Sequence, residues 1–362
     1  MPVTELRTHR VRIPLREPFV TAVRRTDAVE AVLVELRDDQ GNRGWGEGTE
    51  TWRVTGESGP GITAALEGPL RETVLDRDPA DTEALCRDIE RAIVANTSAK
   101  SALDCAVHDL AAARSGVPLV RFLGARPRTM PTDVTLAVGT TAAMAETANT
   151  RTGEGFGTLK IKVGDRGEDE LDRLRRIRAA AGPEVRLRLD ANQGWTAKQA
   201  IRLIRQFEDA GLDVELVEQP VPAGDLDGLA RVTAAVDTPI LADESVCVPA
   251  DLLELIRRGA ADMVNIKLAK CGGLRPARAL AAIAESAGLG VLFGSMMETH
   301  VGIGATAALA AATPGADPVP DLDAAWWLRH SPVLGGIGYH GSEITIPDAP
   351  GSGITGRTEE VF

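Results

Sequence analysis

Five ionisable residues recur through the middle of the chain at nearly constant spacing, each closing a short apolar run. "TLKIK" ends at Lys162, "VRLRLD" at Asp190, "VELVE" at Glu218, "TPILAD" at Asp243 and "DMVNIK" at Lys267, with successive spacings of 28, 28, 25 and 24 residues, and "GVLFGSM" follows, ending at residue 296. Between them lie segments such as "EDELDRLRRIRAAAG", "TAKQAIRLIRQFEDAG" and "VPADLLELIRRGA". These carry apolar residues at helical spacing, and most close on glycine. A strand and a helix repeated at a fixed period make a parallel sheet, and this many repeats close most economically as a (β/α) barrel. An open, doubly wound sheet would more often carry a glycine-rich turn between strand and helix. The glycine-rich "GNRGWGEG" at 41–48 lies in a strand-rich region instead, and is expected to form a hairpin or loop.

The flanks have a different character. The first 50 residues hold β-branched runs, with "DDQGN" as a turn, and residues 62–117 shift to Ala- and Leu-rich helical spacing ending near "RSGVP". Strands followed by helices suggest a compact α+β unit. The chain of 362 residues has room for both this unit and a barrel. Its net charge of -12 disfavours nucleic acid and anionic membrane, which call for a cationic surplus, and favours a small-molecule substrate. The N-terminal stretch has charges every few positions and "VGIGATAALAAATPG" is too short to span a bilayer, so a cytoplasmic protein is expected. Four scattered cysteines suggest neither a disulfide framework nor a zinc site.

In a barrel, residues alternating with the outward apolar set point inward, and the strand ends line the mouth where such proteins keep their chemistry. Lys160, Lys162, Asp190, Glu218, Asp243 and Lys267 would meet there. Any one carboxylate alone could cap the helix that follows its strand. Three in register, from adjacent strands, make an all-oxygen set suited to Mg²⁺ with positions left open. The lysines flank this set in strand order, so a carboxylate substrate on the metal would have its α-carbon between two amines. That arrangement suits proton abstraction α to a carboxylate. Lys162 is assigned as one acid/base, Lys267 as the opposing one, and Lys160 as the cation expected to lower the pKa of its neighbour.

At these residues the chain resembles the enolase superfamily, in its muconate-lactonizing-enzyme subgroup. The resemblance rests on "KIK" at 160–162, "DANQGW" at 190–195, "EQP" at 218–220, "ADES" at 242–245 and "NIKLAKCGG" at 265–273. It implies an α/β fold: a modified (β/α)8 TIM-type barrel under an α+β capping domain, with boundaries expected at 1–125, 126–324 and a returning segment 325–362. It also implies one Mg²⁺ on Asp190, Glu218 and Asp243 and acid/base lysines at Lys162 and Lys267, a chemistry already established for that superfamily. "VPDLDAAW" places Asp321 and Asp323 after the expected eighth strand, and the pair looks like the DxD motif with which dipeptide epimerases hold a free α-ammonium. Arg24, in "REPFVTAVRRTDA", falls where Ala-Glu epimerases carry an arginine for the acidic side chain of the second residue, while Ser295 and Glu298 of "GSMMETH" are expected to line the pocket; His300 has no counterpart. The resemblance therefore implies a Mg²⁺-dependent epimerase of L-Ala-D/L-Glu-type dipeptides that forms a homo-oligomer. The alternatives within the subgroup are a muconate cycloisomerase, an o-succinylbenzoate synthase or an N-succinylamino acid racemase.

Overall fold

The computed structural model describes residues 2–20, 25–164 and 169–358. Arg24 lies outside the described residues. Strands Val3–Val20, Arg25–Asp38 and Arg43–Thr49 form an antiparallel sheet in sequence order. The turn after Asp38 is made by its own carboxylate, which accepts from Gln40 N at 3.0 Å and Asn42 N at 2.9 Å. The glycine-rich stretch forms a hairpin with the strand before it, as its second arm Arg43–Thr49. Its glycines answer to packing, because a Cβ at Gly44 would overlap the carbonyl of Ala106 and one at Gly46 that of Ala102. The buried helix Thr97–Arg114 therefore lies directly on the strand backbone.

That helix also ties the capping unit to the barrel. Asp104 Oδ1 accepts from Leu274 N at 2.6 Å, capping the barrel helix Leu274–Ser286. His108 Nδ1 sits 2.9 Å from the Asp104 carbonyl and Cys86 Sγ 3.7 Å from the same nitrogen, so these two side chains pack beside Asp104 within the capping unit.

Seven parallel strands follow in the order Val134–Leu136, Thr158–Lys162, Arg186–Asp190, Val214–Glu218, Ile240–Ala242, Met263–Ile266 and Gly290–Phe293. The gap between the last and the first is filled by residues 316–323. Val291 bridges Ala316 and Gly294 bridges Asp321 on one side, while Thr132 Oγ1 donates to Pro320 O at 3.1 Å and accepts from Leu322 N at 3.0 Å on the other. Pro318 and Pro320 have no N–H to give a ladder, so the eighth position is closed by an irregular segment, and Asp321 belongs to it rather than following it. The helices show the expected logic. Ala197–Asp209 starts on a capping box, with Thr196 N donating to Gln199 Oε1 at 2.9 Å, and buries Ala197, Ala200, Ile204 and Phe207 against the sheet. His300–Ala312, apolar on every face, is buried. Among the described residues no helix is long and apolar enough to cross a membrane.

The last part of the chain packs back across both units. Glu343–Thr345 pairs with Thr129–Pro131, Gly351 O accepts from Leu119 N at 2.7 Å, and Pro14 O accepts from Arg329 N at 3.0 Å.

Candidate active site

Strand pairing sets the level of the charged residues. Lys162 is in register with Asp190 and Asp190 with Glu218, while Asp243 and Lys267 each follow the last residue of their strands. Lys160, at 3% exposure, is no solvated surface cation. Its Nζ lies 2.6 Å from Glu218 Oε2, 2.6 Å from Asp321 Oδ2 and 3.1 Å from Asp190 Oδ2. Lys162 Nζ lies 2.6 Å from Asp190 Oδ2, and Lys267 Nζ lies 2.6 Å from Asp243 Oδ2 and 3.8 Å from Glu218 Oε1. The two outer lysines thus rest on different carboxylates, with Lys160 and Glu218 between them.

Burial works against charge on Lys160 and Lys267, but Asp321, Glu218 and Asp190 around the first, and Asp243 and Glu218 beside the second, outweigh it and push both pKa values up. For these two lysines the surrounding carboxylates outweigh the like charges nearby. Burial also opposes charge on Asp190 and Asp243, yet Lys162 and Lys160 for the one and Lys267 and Lys270 for the other hold them well below the usual range. Glu218 goes the other way. Burial, then its neighbour Asp190, raises it to about 7.

This donor set suits a hard dication. Three buried carboxylates from adjacent strands offer only oxygen, and the raised Glu218 marks a centre short of positive charge. Among the described residues, the His, Cys and acidic donors that already converge within 4.8 Å are Cys86, Asp104 and His108. The three site carboxylates are instead held by ammonium groups, with which a cation would compete.

A cavity of about 400 Å³ opens over this centre, lined by Lys160, Lys162, Asp243, Lys267, Asp321 and Asp323 together with Ser295. Asp323 is buried, accepting from Thr135 N at 2.7 Å and Trp327 Nε1 at 2.9 Å, and Asp321 accepts from Lys160. Glu298 is a correction: it is not among the lining residues. It is buried against Glu47 of the capping sheet and accepts from Met296 N at 2.9 Å, so it supports the lining segment from behind. His300, its pKa lowered to about 4 by burial with Arg16 and His330 nearby, stacks edge-on against Tyr339.

Residues 3–124 match the mandelate racemase / muconate lactonizing enzyme N-terminal domain, and residues 143–361 match the enolase C-terminal domain-like family. The chain belongs to the mandelate racemase / muconate lactonizing enzyme family of the enolase superfamily. It is 43% identical to the L-Ala-D/L-Glu epimerase of Bacillus subtilis over 98% of this chain and 97% of that one. The substrate-liganded structure of the Bacillus subtilis epimerase superposes with a TM-score of 0.95 at 42% identity, covering 99% of this chain and 100% of that one. A dipeptide epimerase of Enterococcus faecalis, solved with Mg and L-Leu-L-Tyr, gives 0.93 at 36% identity over 98% and 99% of the two chains.

For this member of the mandelate racemase / muconate lactonizing enzyme family, sequence reasoning passed over several residues that hold the site in shape. Asn265 Nδ2 donates to Glu218 Oε1 at 2.9 Å, and Lys270 Nζ reaches Asp243 Oδ1 at 2.5 Å and Asn265 O at 3.1 Å. Gln219, with φ of 37°, accepts from Asp243 N at 2.9 Å and Ser245 N at 3.1 Å. A non-glycine residue in that region is strained, and here the strain turns the Gln219 amide under the next strand's carboxylate. Asn265 had a legible signal, since it precedes Lys267 by two residues and shares its face. The other surprise is Thr51, Arg53 and Val54, a capping-unit turn far from the repeat that lines the same cavity.

Proposed function

We propose that the chain is a Mg²⁺-dependent dipeptide epimerase that inverts the α-carbon of the C-terminal residue by passing a proton between two lysines. One observation carries this reading: Lys162 and Lys267 line one cavity from the second and sixth strands, each bound to a different carboxylate, so a substrate between them meets an amine on either face. Asp190, Glu218 and Asp243 would hold Mg²⁺, whose charge stabilises the anion formed as the α-proton leaves and competes with the lysines for their carboxylates. Lys160 adds a third positive charge beside the substrate carboxylate. Asp321 and Asp323, buried carboxylates on the cavity wall, are suited to the free α-ammonium. That pair favours a dipeptide over the amine-free substrates of a muconate cycloisomerase or an o-succinylbenzoate synthase. The Ser295 hydroxyl is offered to the substrate backbone, and Arg24 is assigned to an acidic side chain on the resemblance alone.

The same reading takes residues 1–125 as the capping domain, 126–324 as the barrel and 325–362 as the returning segment, in a cytoplasmic homo-oligomer. The test is incubation with Mg²⁺ in D₂O against L,L-dipeptides, following α-deuterium by mass spectrometry. Incorporation at the second residue that stops when the N-terminus is acetylated supports the reading. No exchange with any dipeptide rejects it and points to N-succinylamino acids or muconate.

A further inference from the structure

The two carboxylates assigned to the substrate's ammonium are held in different ways. Asp321 is fixed by the barrel: its N donates to Phe293 O at 2.9 Å, and its Oδ2 lies 2.6 Å from Lys160 Nζ, a cation that offsets its charge. Asp323 makes no ion pair among the described residues. Its Oδ2 instead accepts from two N–H groups, Thr135 N at 2.7 Å and Trp327 Nε1 at 2.9 Å. Burial and then Asp321 raise its pKa, and these donors work the other way. They favour the charged form without pairing it to a protein cation.

Trp327 is itself set in place. It is buried, packs edge-on against Trp326 with ring centroids 5.0 Å apart, and has the Arg151 guanidinium 5.2 Å from its own ring centroid. Arg151 pairs in turn with Glu154 at 2.9 Å and with Glu17. The residue between the two carboxylates is anchored on both sides, Leu322 N donating to Thr132 Oγ1 at 3.0 Å and Leu322 O accepting from Tyr339 Oη at 2.5 Å. Because Pro318 and Pro320 deny this segment a regular ladder, side-chain donors take the place of a strand neighbour.

We propose that Trp327 and Tyr339 are positioning residues for the ammonium site: the indole N–H fixes the Asp323 carboxylate and the phenol O–H fixes the Leu322 peptide, so that Asp323 meets the substrate's α-ammonium as its main counter-ion. The inference rests on the dipeptide reading above. Asp321 shares its charge with Lys160, whereas Asp323 is held by uncharged donors and keeps its charge for a ligand. Neither aromatic residue is bonded to Lys162, Lys267 or the three metal-site carboxylates, so their work is confined to binding and orientation.

The experiment uses Trp327→Phe and Tyr339→Phe, each of which keeps an aromatic ring and removes one donor, in the Mg²⁺-loaded enzyme. Two quantities are measured: KM and kcat for the L,L-dipeptide that the wild type exchanges fastest, and the inhibition constant of that dipeptide's N-propionyl analogue, in which L-Ala has lost its amine. Losing a hydrogen bond to a charged acceptor in Trp327→Phe is expected to raise KM about tenfold, and losing one to a neutral carbonyl in Tyr339→Phe about threefold, with kcat within about threefold of the wild type in both. The inhibition constant of the amine-free analogue is expected to move by less than about twofold, which also reports that the variants are folded. An unchanged KM in Trp327→Phe overturns the proposal. So does a parallel rise in KM and in the inhibition constant, which would mean that the variants loosen the whole pocket rather than the ammonium site. A wild type that exchanges no dipeptide removes the epimerase reading itself; one that does, with variants failing either test, leaves that reading standing and overturns only the roles of Trp327 and Tyr339.

Discussion

Replacing Glu298 with glutamine should make the protein more resistant to alkaline pH, and the size of the effect follows from one buried pair. Glu47 accepts from Thr299 N at 2.8 Å, Thr299 Oγ1 at 2.5 Å and Gly302 N at 2.9 Å, whereas among the described residues Glu298 accepts only from Met296 N at 2.9 Å. The better-solvated carboxyl by hydrogen bonds is Glu47, so Glu298 carries the proton that the buried pair keeps. Burial and then Glu47 raise Glu298 from 4.5 to about 8. Between those values the folded chain binds one proton more than the unfolded chain. The stabilisation is therefore complete below 4.5 and lost as pH rises through about 8. The slope is about 1.4 kcal/mol per pH unit, so the wild type should give up about 2 kcal/mol from this group between about pH 6 and about pH 8. The glutamine side chain introduced by Glu298→Gln would keep the acceptor for Met296 N and offer an amide donor to Glu47, with no proton to lose. Urea unfolding of both proteins at the two pH values reads the difference directly. Parallel losses in wild type and Glu298→Gln would refute the shared proton and the assignment of Glu298 to support rather than to the pocket.

Lys162→Ala and Lys267→Ala should each lower epimerisation by about a thousandfold while sparing α-deuterium exchange of one epimer, a different epimer for each variant; exchange of both epimers by either variant would break the two-lysine assignment. Because Glu218 is raised to about 7 and a protonated carboxyl does not ligate, apparent Mg²⁺ affinity should climb about tenfold per pH unit below that value and level off above it. Calorimetry in buffers of different ionisation enthalpy would detect the released proton, and a flat profile would count against Glu218 as a ligand. Gly46→Ala should destabilise by about 3 kcal/mol in urea, since a Cβ there overlaps the Ala102 carbonyl of a buried helix. A loss below about 1 kcal/mol would mean that the helix can shift away.

Much of this architecture is written locally. The period between Lys162 and Lys267 reflects the length of one strand plus one helix, and any chain with that period must bring those residues to one end of a parallel sheet. Inward direction follows from the strand's alternation, so a charged ring at the mouth is already written in the sequence. What the period does not encode is closure. The first barrel strand is only Val134–Leu136, too short to show a pattern, and the eighth position is an irregular segment whose prolines exclude a regular ladder.

The sign of the lysine pKa shifts, the placement of Glu298 behind the cavity and the presence of Arg53 within it are likewise beyond the sequence. Each depends on residues more than a hundred positions apart: Lys160 meeting Asp321, Glu298 meeting Glu47, and Arg53 facing Lys162 and Lys267. Local chemistry therefore determined which charges the barrel would gather. Only the tertiary structure decided which carboxylate each lysine rests on, because distance in space alone sets the strength of those pairings.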